Sequence, residues 1–326
     1  MLKINQDALQ TLGREGNHIR KFKLSKEMNV AIDNQKIQQR QYQPTTMDLE
    51  SDKLCIIFTV RPTWFHEEGS FYAKNFVFSC EKLDNCNDTK NLVDYISTIS
   101  FICGGQVFDR LNRNVLQFLN RNETLCDSKV PIPYGSQWAV LPQLHSFQIY
   151  IEVTKNFLEK FCKPRISCDV QPAEVSISRE YIFYQTQTWP ISKNQMTMLP
   201  LVHCLFYLVI VNPPSIPKKV SLLLNTKVLA KYSLHPETND ENCLLHYKNI
   251  ESNYYVVPLM HNHLSLDTLE SDFCKDDLIV NASQIDQLGL DIDMGEANEE
   301  KSLEIFVRNL QLVRVREGMA GLAFSK

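Results

Sequence analysis

The chain has 326 residues, of which 44% are hydrophobic and 22% carry a charge. This length has room for two domains that each bury a core, and the composition is that of a folded protein rather than an extensively disordered one. With 34 basic and 38 acidic residues the formal net charge is −4. The chain therefore lacks the basic surplus that wrapping nucleic acid requires, and Lys218-Lys219 is left as a local basic patch.

The N-terminal segment, up to about residue 45, is polar and rich in glutamine. Because it contains no apolar stretch of the kind found in secretory signals, we expect synthesis in the cytosol. We expect an arm, or a short strand around residues 22–30 after a loose start, and we assign residues 1–20 to the arm.

Strand signals begin at residue 54, where β-branched and aromatic residues follow Asp52 and precede Pro62. Residues 146–153 alternate strictly between apolar and polar side chains, which indicates a strand with one buried face. The apolar run over residues 199–211 is too short for a membrane-spanning helix and is interpreted as a buried strand. Strands are predicted at residues 54–60, 70–79, 98–108, 146–153, 174–185, 201–211, 220–229, 254–260, 288–294 and 303–315.

One short helix is predicted over residues 109–120, because its apolar residues recur at spacings of three and four. We expect this helix to cross the end of a sheet. A proline-marked segment over residues 161–172 is expected to end the first half of the chain.

Two segments of the chain recur in the same order. Residues 99–107 align with residues 220–228 without a gap, and residues 141–153 align with residues 282–294. The offsets are 121 and 141 residues, so two units of similar length repeat with different loops between their strands. Self-similarity at the length of a domain predicts a duplicated architecture.

The predicted fold is all-β, with two tandem eight-stranded antiparallel jelly rolls and short helices in their loops. About eight strands per unit, joined by connections of unequal length, favour a jelly roll over an up-and-down barrel. Periodicity alone leaves an immunoglobulin-like sandwich open. We expect the arm at residues 1–20, the first roll at 21–165 and the second roll at 166–326.

No segment has a strong signature of catalysis or of metal binding, and we predict no catalytic residue, metal or cofactor. The ten cysteines include no Cys-x-x-Cys pair, so buried reduced thiols are expected rather than a zinc site. His261, His263 and Glu270 form a weak metal-site candidate. Trp64 and Trp138 are the candidates for a carbohydrate-binding face, although core positions are favoured for both.

Three segments, in order along the chain, carry the motifs of a known family. Residues 92–109 contain Gly-Gly-Gln followed by an apolar residue and Asp, residues 134–153 contain a Leu-Pro strand entry, and residues 280–286 with 309–324 form a C-terminal signature. These segments resemble the double jelly-roll major capsid proteins of nucleocytoplasmic large DNA viruses and their relatives. The motif residues are Gly104, Gly105, Gln106, Asp109, Leu141, Pro142, Asn281, Ser283, Ile285, Asp286, Gly318, Met319, Ala320 and Gly321.

The resemblance implies a structural protein of the virion, assembled in the host cytoplasm, and not an enzyme. It implies homotrimers that form pseudo-hexagonal capsomers of an icosahedral shell, with minor capsid proteins and an inner membrane as further partners and no sequence-specific contact to nucleic acid. The chain is shorter than is common in the family and has Ala282 where the family has Phe. A minor capsid or scaffold protein of the same fold, or a carbohydrate-binding tandem jelly-roll protein, stays an alternative.

The motif residues are expected to act through backbone geometry and packing. Gly104 and Gly105 follow an apolar strand, where glycine permits a tight hairpin turn. Gly318 and Gly321 are expected to let the last strand approach its neighbours closely, and Asn281 is interpreted as a turn residue at a strand entry.

Overall fold

The structure is a computed structural model. It describes residues 19–21, 38–44, 46–50, 53–59, 70–83, 90–122, 127–133, 139–140, 147–173, 178–191, 196–199, 204–224, 227–249, 252–259, 278–281, 288–295, 303–316 and 319–322.

Most of the described residues lie in β-strands. The first eleven strands are β1 (Ile19–Lys21), β2 (Gln38–Tyr42), β3 (Thr46–Glu50), β4 (Lys53–Thr59), β5 (Ser70–Lys82), β6 (Ile96–Cys103), β7 (Gln106–Asn112), β8 (Lys129–Ile132), β9 (Ala139–Val140), β10 (Gln148–Thr154) and β11 (Phe161–Ala173). The other twelve are β12 (Ser178–Ile191), β13 (Thr197–Leu199), β14 (Cys204–Val211), β15 (Lys219–Leu224), β16 (Lys227–Ser233), β17 (Glu241–Cys243), β18 (Leu245–Lys248), β19 (Asn253–Pro258), β20 (Leu278–Asn281), β21 (Leu288–Asp293), β22 (Leu303–Arg316) and β23 (Met319–Leu322).

The chain divides into two compact units. The N unit contains the described residues within 29–185 and 311–326, and the C unit contains those within 1–28 and 186–310. The division falls inside β12 and inside β22, so each of these strands contributes residues to both units. The boundaries expected from the sequence, after residues 20 and 165, stay a prediction.

The N unit contains two five-stranded sheets. Sheet 1 has the order β3-β4-β10-β6-β7, and sheet 2 has the order β2-β11-β5-β8 with β9 beside β5. Phe58 of sheet 1 meets Phe78 of sheet 2 edge to face at 6.3 Å between ring centroids, and both side chains are fully buried. Phe78 also stacks with Phe157, which in turn stacks with Phe161. Aromatic side chains between the two sheets therefore build this core.

Helical structure in the described residues consists of α1 (Arg113–Leu119) and two 3-10 helices, Leu92–Tyr95 and Lys155–Glu159. The prediction that the helix begins at residue 109 is wrong, because β7 pairs with β6 as far as Asn112. The Asn112 side chain then accepts a hydrogen bond from the Val115 backbone N–H at 3.0 Å and caps α1.

The C unit also packs one sheet on another. Sheet 3 has the order β13-β21-β15-β16-β17, and sheet 4 contains β1-β20-β14-β19-β18 together with β22, which pairs with β14 and β12. The end of β22 that belongs to the N unit pairs with β23 of the same unit. Leu208 and Ile210 of β14 pack in one buried cluster with Leu222 of β15 and Leu290 of β21. In the same cluster the Tyr232 hydroxyl donates a hydrogen bond to the Pro258 carbonyl at 3.1 Å, and burial raises the pKa of this phenol.

Most predicted strands are confirmed within a few residues, but two kinds of error occur. The predicted strands at 98–108 and 220–229 are each a hairpin of two strands, β6-β7 and β15-β16. The proline-marked segment at 161–172 is the long strand β11, whose pairing with β5 shifts between Cys162 and Arg165. Lys163 has a φ of +48° in this shift, which removes Pro164 from the ladder and lets the strand continue. The possible strand at 22–30 lies outside the described residues.

Candidate functional site

The sequence repeat corresponds to three paired strands that occur once in each unit. In the N unit β6 lies between β7 and β10, and in the C unit β15 lies between β16 and β21. The corresponding cross-strand pairs are Phe101–Asp109 with Leu222–Ala230 in the hairpins, and Phe101–Ile149 with Leu222–Leu290 on the other side. Phe101 and Asp109 each lie 121 positions before their counterparts in the C unit, and Ile149 lies 141 positions before Leu290. These are the two offsets of the sequence repeat. The repeat is therefore confirmed at the level of strand register.

The turn of the first hairpin consists of Gly104 and Gly105, whose φ angles are +58° and +80°. Two consecutive positive φ angles are what a two-residue hairpin turn requires, and they favour glycine. A Cβ added to either glycine would meet no atom within 4 Å. These glycines are thus needed for backbone conformation rather than for close packing, and Gln106 pairs with Cys103 directly after the turn.

Asp109 is the buried polar member of this motif. It is 1% exposed and lies opposite Phe101, and its Oδ1 accepts a hydrogen bond from the Arg110 backbone N–H at 2.9 Å. The equivalent residue of the C unit is Ala230, which is also buried. Asp109 therefore belongs to the interior of the sandwich and does not face a solvent-filled site.

The C-terminal motif is described only in part. Asn281 is the last residue of β20 and pairs with Cys204. Its interpretation as a turn residue at a strand entry is wrong, because Asn281 follows Ile279 and Val280 within the same strand and pairs with β14 as Val280 does. The motif residues outside the described part of the chain are Leu141, Pro142, Ser283, Ile285, Asp286 and Gly318.

The last strand, β23, pairs antiparallel with the end of β22. Met319, Ala320 and Gly321 lie opposite Arg316, Val315 and Arg314. The expectation of close packing at Gly321 is wrong, because a Cβ added there would meet nothing within 4 Å. In this strand the motif supplies backbone hydrogen bonds to β22 and leaves open space beside Gly321.

A row of buried polar residues in β22 was not expected from the sequence. Arg308 is 1% exposed, and its Nη1 donates a hydrogen bond to Thr186 Oγ1 of β12 at 2.6 Å. The neighbouring Asn309 is fully buried, and neither its Nδ2 nor its Oδ1 has a hydrogen-bond partner among the described residues. Polar residues inside the apolar run 303–315 are the signal that could have indicated this row.

Metal-binding clusters and membrane-spanning helices are absent from the described part of the chain. Within it, no group of three or more His, Cys, Asp and Glu residues is placed to hold a metal ion. The helices described there are all too short or too polar to cross a membrane. Cys55 and Cys103 are buried, as expected, and neither of these two described cysteines forms a disulfide bond. The weak candidates named above, His261, His263, Glu270, Trp64 and Trp138, lie outside the described residues.

Comparisons with known proteins agree with this architecture. The structure is similar to VP54 of PBCV-1, as fitted into a reconstruction of the virophage Sputnik, with a TM-score of 0.58 and 13% identity over 89% of this chain and 97% of that one. It is similar to the major capsid protein P2 of bacteriophage PM2, with a TM-score of 0.52 and 11% identity over 89% and 99%. The Faustovirus major capsid protein gives a TM-score of 0.51 and 5% identity over 85% and 90%.

No protein-family model and no curated protein sequence matches the chain. At such low identity a structural match establishes the fold, and here it extends over most of each partner. The expectation of an all-β chain with two jelly rolls is confirmed by the described sheets and by these matches. The chain has the double jelly-roll fold, the fold of the capsid proteins that its motifs resemble.

Proposed function

We propose that the chain is a structural capsid protein and not an enzyme. The observation that carries this proposal is the repetition of strand register between β10-β6-β7 and β21-β15-β16 within one chain. A chain with two equivalent units can present similar flanks to its neighbours twice. Three copies around a three-fold axis would then form a pseudo-hexagonal capsomer, and such capsomers can tile a closed icosahedral lattice.

The capsid role is supported by the fold and by the wide range of capsid proteins that share it. Contacts within a trimer are expected to be large and apolar, above about 2,000 Å² in total, as in obligate oligomers. Contacts between trimers are expected to be smaller and more polar, which allows errors to be reversed during assembly. Minor capsid proteins and an inner membrane are proposed further partners, with assembly in the host cytoplasm and residence in the virion.

The mass of the purified chain in solution tests this proposal. A trimer of about 113 kDa, three times 37.8 kDa, and closed shells in negatively stained samples are the expected results. A monomer that forms neither at any concentration would contradict the proposal. Trimers without shells would favour the minor capsid or scaffold alternative, and the presence or absence of the chain in purified particles separates these two.

We also propose that the N-terminal arm lies in the particle interior, and this role has its own test. The described strand β1 pairs with β20 through Ile19–Val280 and Lys21–Leu278, so this strand should be kept intact. Deleting residues 1–18 is expected to preserve trimers but to impair shells, because an arm in the particle interior would contact neighbouring capsomers or minor proteins. Normal shells from the shortened chain would contradict this role of the arm.

A further inference from the structure

Each unit presents apolar side chains on the outer face of its hairpin sheet. In β15, Val220, Leu222 and Leu224 belong to the buried core, whereas Leu223 points to the other face and is half-buried. In β6, Ile102 is half-buried in the same way, between the buried Phe101 and Cys103. Because side chains alternate along a strand, Leu223 and Ile102 lie on faces that the cores do not cover.

Each of these residues has an apolar partner across the hairpin. Leu223 pairs with Val228, and Ile102 pairs with Val107, which is 39% exposed. Directly opposed residues bring their Cβ atoms to about 5 Å, so each pair forms one continuous apolar area. The two pairs are related by the same offset of 121 residues, from 102 to 223 and from 107 to 228. The same surface feature therefore occurs in both units.

In the C unit this area continues across β21 to the edge strand β13. Gly289 lies opposite both Leu223 and Met198. A Cβ at Gly289 would lie 3.4 Å from Leu223 Cβ and 3.5 Å from Met196 Cγ. The absence of a side chain at Gly289 thus lets Met196 reach towards Leu223 over the outer face of β21. Met196 is 45% exposed and Met198 42% exposed, so both sulfur-containing side chains are open to a partner.

We propose that these two areas are docking surfaces for further copies of this chain. We call them the C-unit patch (Met196, Met198, Leu223 and Val228) and the N-unit patch (Ile102 and Val107). The proposal rests on the capsid function proposed above and names the surfaces through which copies meet. Contiguous exposed apolar groups typically mark interaction sites, and methionine adapts its shape to a partner.

The size of the patches favours a second copy as the occupant. A stable complex of two proteins buries about 800 Å² on each partner, and a patch of two to four partly exposed side chains is much smaller than this. One patch would therefore hold an unrelated soluble partner only weakly. Copies of the same chain engage both patches repeatedly, and linked weak contacts of this kind add up to stable assembly.

The charges beside the C-unit patch are of both signs. In the next row of the outer face, Ser221 lies between Asp291 on one side and Lys231 on the other. A strongly acidic or strongly basic partner would bind best beside residues of the opposite charge only. Here an acidic and a basic residue lie beside the patch. A copy of this chain carries the same acidic and basic pair and can match it with the opposite charge.

Photo-cross-linking tests these surfaces directly. A photoreactive benzoylphenylalanine is introduced in the full-length chain at Val228, at Val107 or, as a control, at His235, an exposed residue just after the end of β16. Irradiation is expected to yield covalent dimers from positions 228 and 107 and several-fold less from position 235. Equal yields from the three positions, or no dimer from 228 and 107, would overturn the proposal.

A charge substitution provides the second readout. The double variant Val107→Glu with Val228→Glu is expected to weaken self-association in sedimentation velocity by at least about tenfold, while Thr238→Glu in an exposed loop leaves it unchanged. If the double variant unfolds at a lower temperature, the Met198→Ser variant replaces it. Self-association equal to that of the unmodified chain in the folded variants would refute the patches.

The two proposals fail in different ways. Trimers and shells that persist in the patch variants would contradict the proposed docking surfaces but not the proposed capsid function. If positions 228 and 107 yield cross-linked dimers but the chain forms neither trimers nor shells, the docking surfaces are supported and the capsid function is contradicted.

Discussion

Phe108 and Leu229 are the extra residues of two β-bulges at the same place in two hairpins. Phe101 pairs with Asp109 and Ile102 with Val107, so Phe108 is the extra residue of β7 between these two pairs. In the C unit Leu222 pairs with Ala230 and Leu223 with Val228, so Leu229 is the extra residue, 121 positions after Phe108. A bulge adds one residue and increases the local twist, so its repetition shows that the two hairpins share their detailed geometry as well as their strand order.

The hairpin turn of the N unit is expected to depend on backbone conformation. Gly105→Ala should lower the free energy of unfolding by about 1–2 kcal/mol, because a Cβ disfavours a φ of +80°. Gly321→Ala is the matched control, since it adds the same methyl group in open space within β23. Thermal unfolding of both variants measures the difference. Equal stability of the two would mean that the turn tolerates a side chain.

The hydrogen bond between Arg308 and Thr186 is expected to stabilise the buried part of β22. Thr186→Val removes the acceptor from a buried guanidinium and should cost about 2 kcal/mol in the free energy of unfolding. Thr98→Val is the control, because Thr98 Oγ1 is buried and has no hydrogen-bond partner in the part of the chain that the structure describes, so its removal should be neutral or stabilising. Urea denaturation gives both values, and a larger loss at Thr98 would contradict this assignment.

The buried Asn309 is expected to make the folded protein less stable than an apolar residue of similar size would at this position. Both polar atoms of its side chain are buried and have no hydrogen-bond partner within the described ranges, so Asn309→Leu should raise the free energy of unfolding by about 1–2 kcal/mol.

The control for this substitution is Asn242→Leu. Asn242 is also buried, but its Nδ2 donates a hydrogen bond to the Lys231 carbonyl at 3.1 Å. The same change should therefore lower the melting temperature at this position. A decrease in both variants would show that Asn309 has an unseen partner such as a bound water molecule.

Glu241 is expected to make stability sensitive to acid. Lys219 Nζ lies 3.2 Å from its Oε1, and the Ser233 hydroxyl and the Glu237 backbone N–H donate to its Oε2. These contacts, that with Lys219 first, hold the pKa of Glu241 below its ordinary value. The ionised form therefore stabilises the folded state fully above the unfolded-state pKa, and this contribution is lost as the pH falls through the lower folded-state pKa.

The Glu241→Gln variant tests this dependence. Its melting temperature should lie below that of the unmodified chain at pH 7, and the difference should shrink as the pH falls towards 3. Asp240→Asn, in the exposed neighbouring position, is the control and should show little change. A constant difference between pH 7 and pH 3 would indicate that ionisation of Glu241 is not responsible.

Local order in this protein follows from its sequence. Alternation in residues 146–153 predicted β10, because a strand between a core and solvent needs apolar side chains at every second position. Gly104 and Gly105 indicated a turn because few other residues adopt positive φ angles. The internal repeat predicted two similar units, and its offsets match the strand registers without change.

Only the tertiary structure decided which distant segments pair and which polar groups are buried. Ile19 pairs with Val280, and no local pattern connects these positions. Arg308 and Asn309 interrupt an apolar run, and the sequence alone cannot tell whether such residues face solvent or a second layer. The physical reason is that local conformation depends on neighbouring side chains along the chain, whereas pairing and burial depend on the free energy of contacts between segments far apart in sequence.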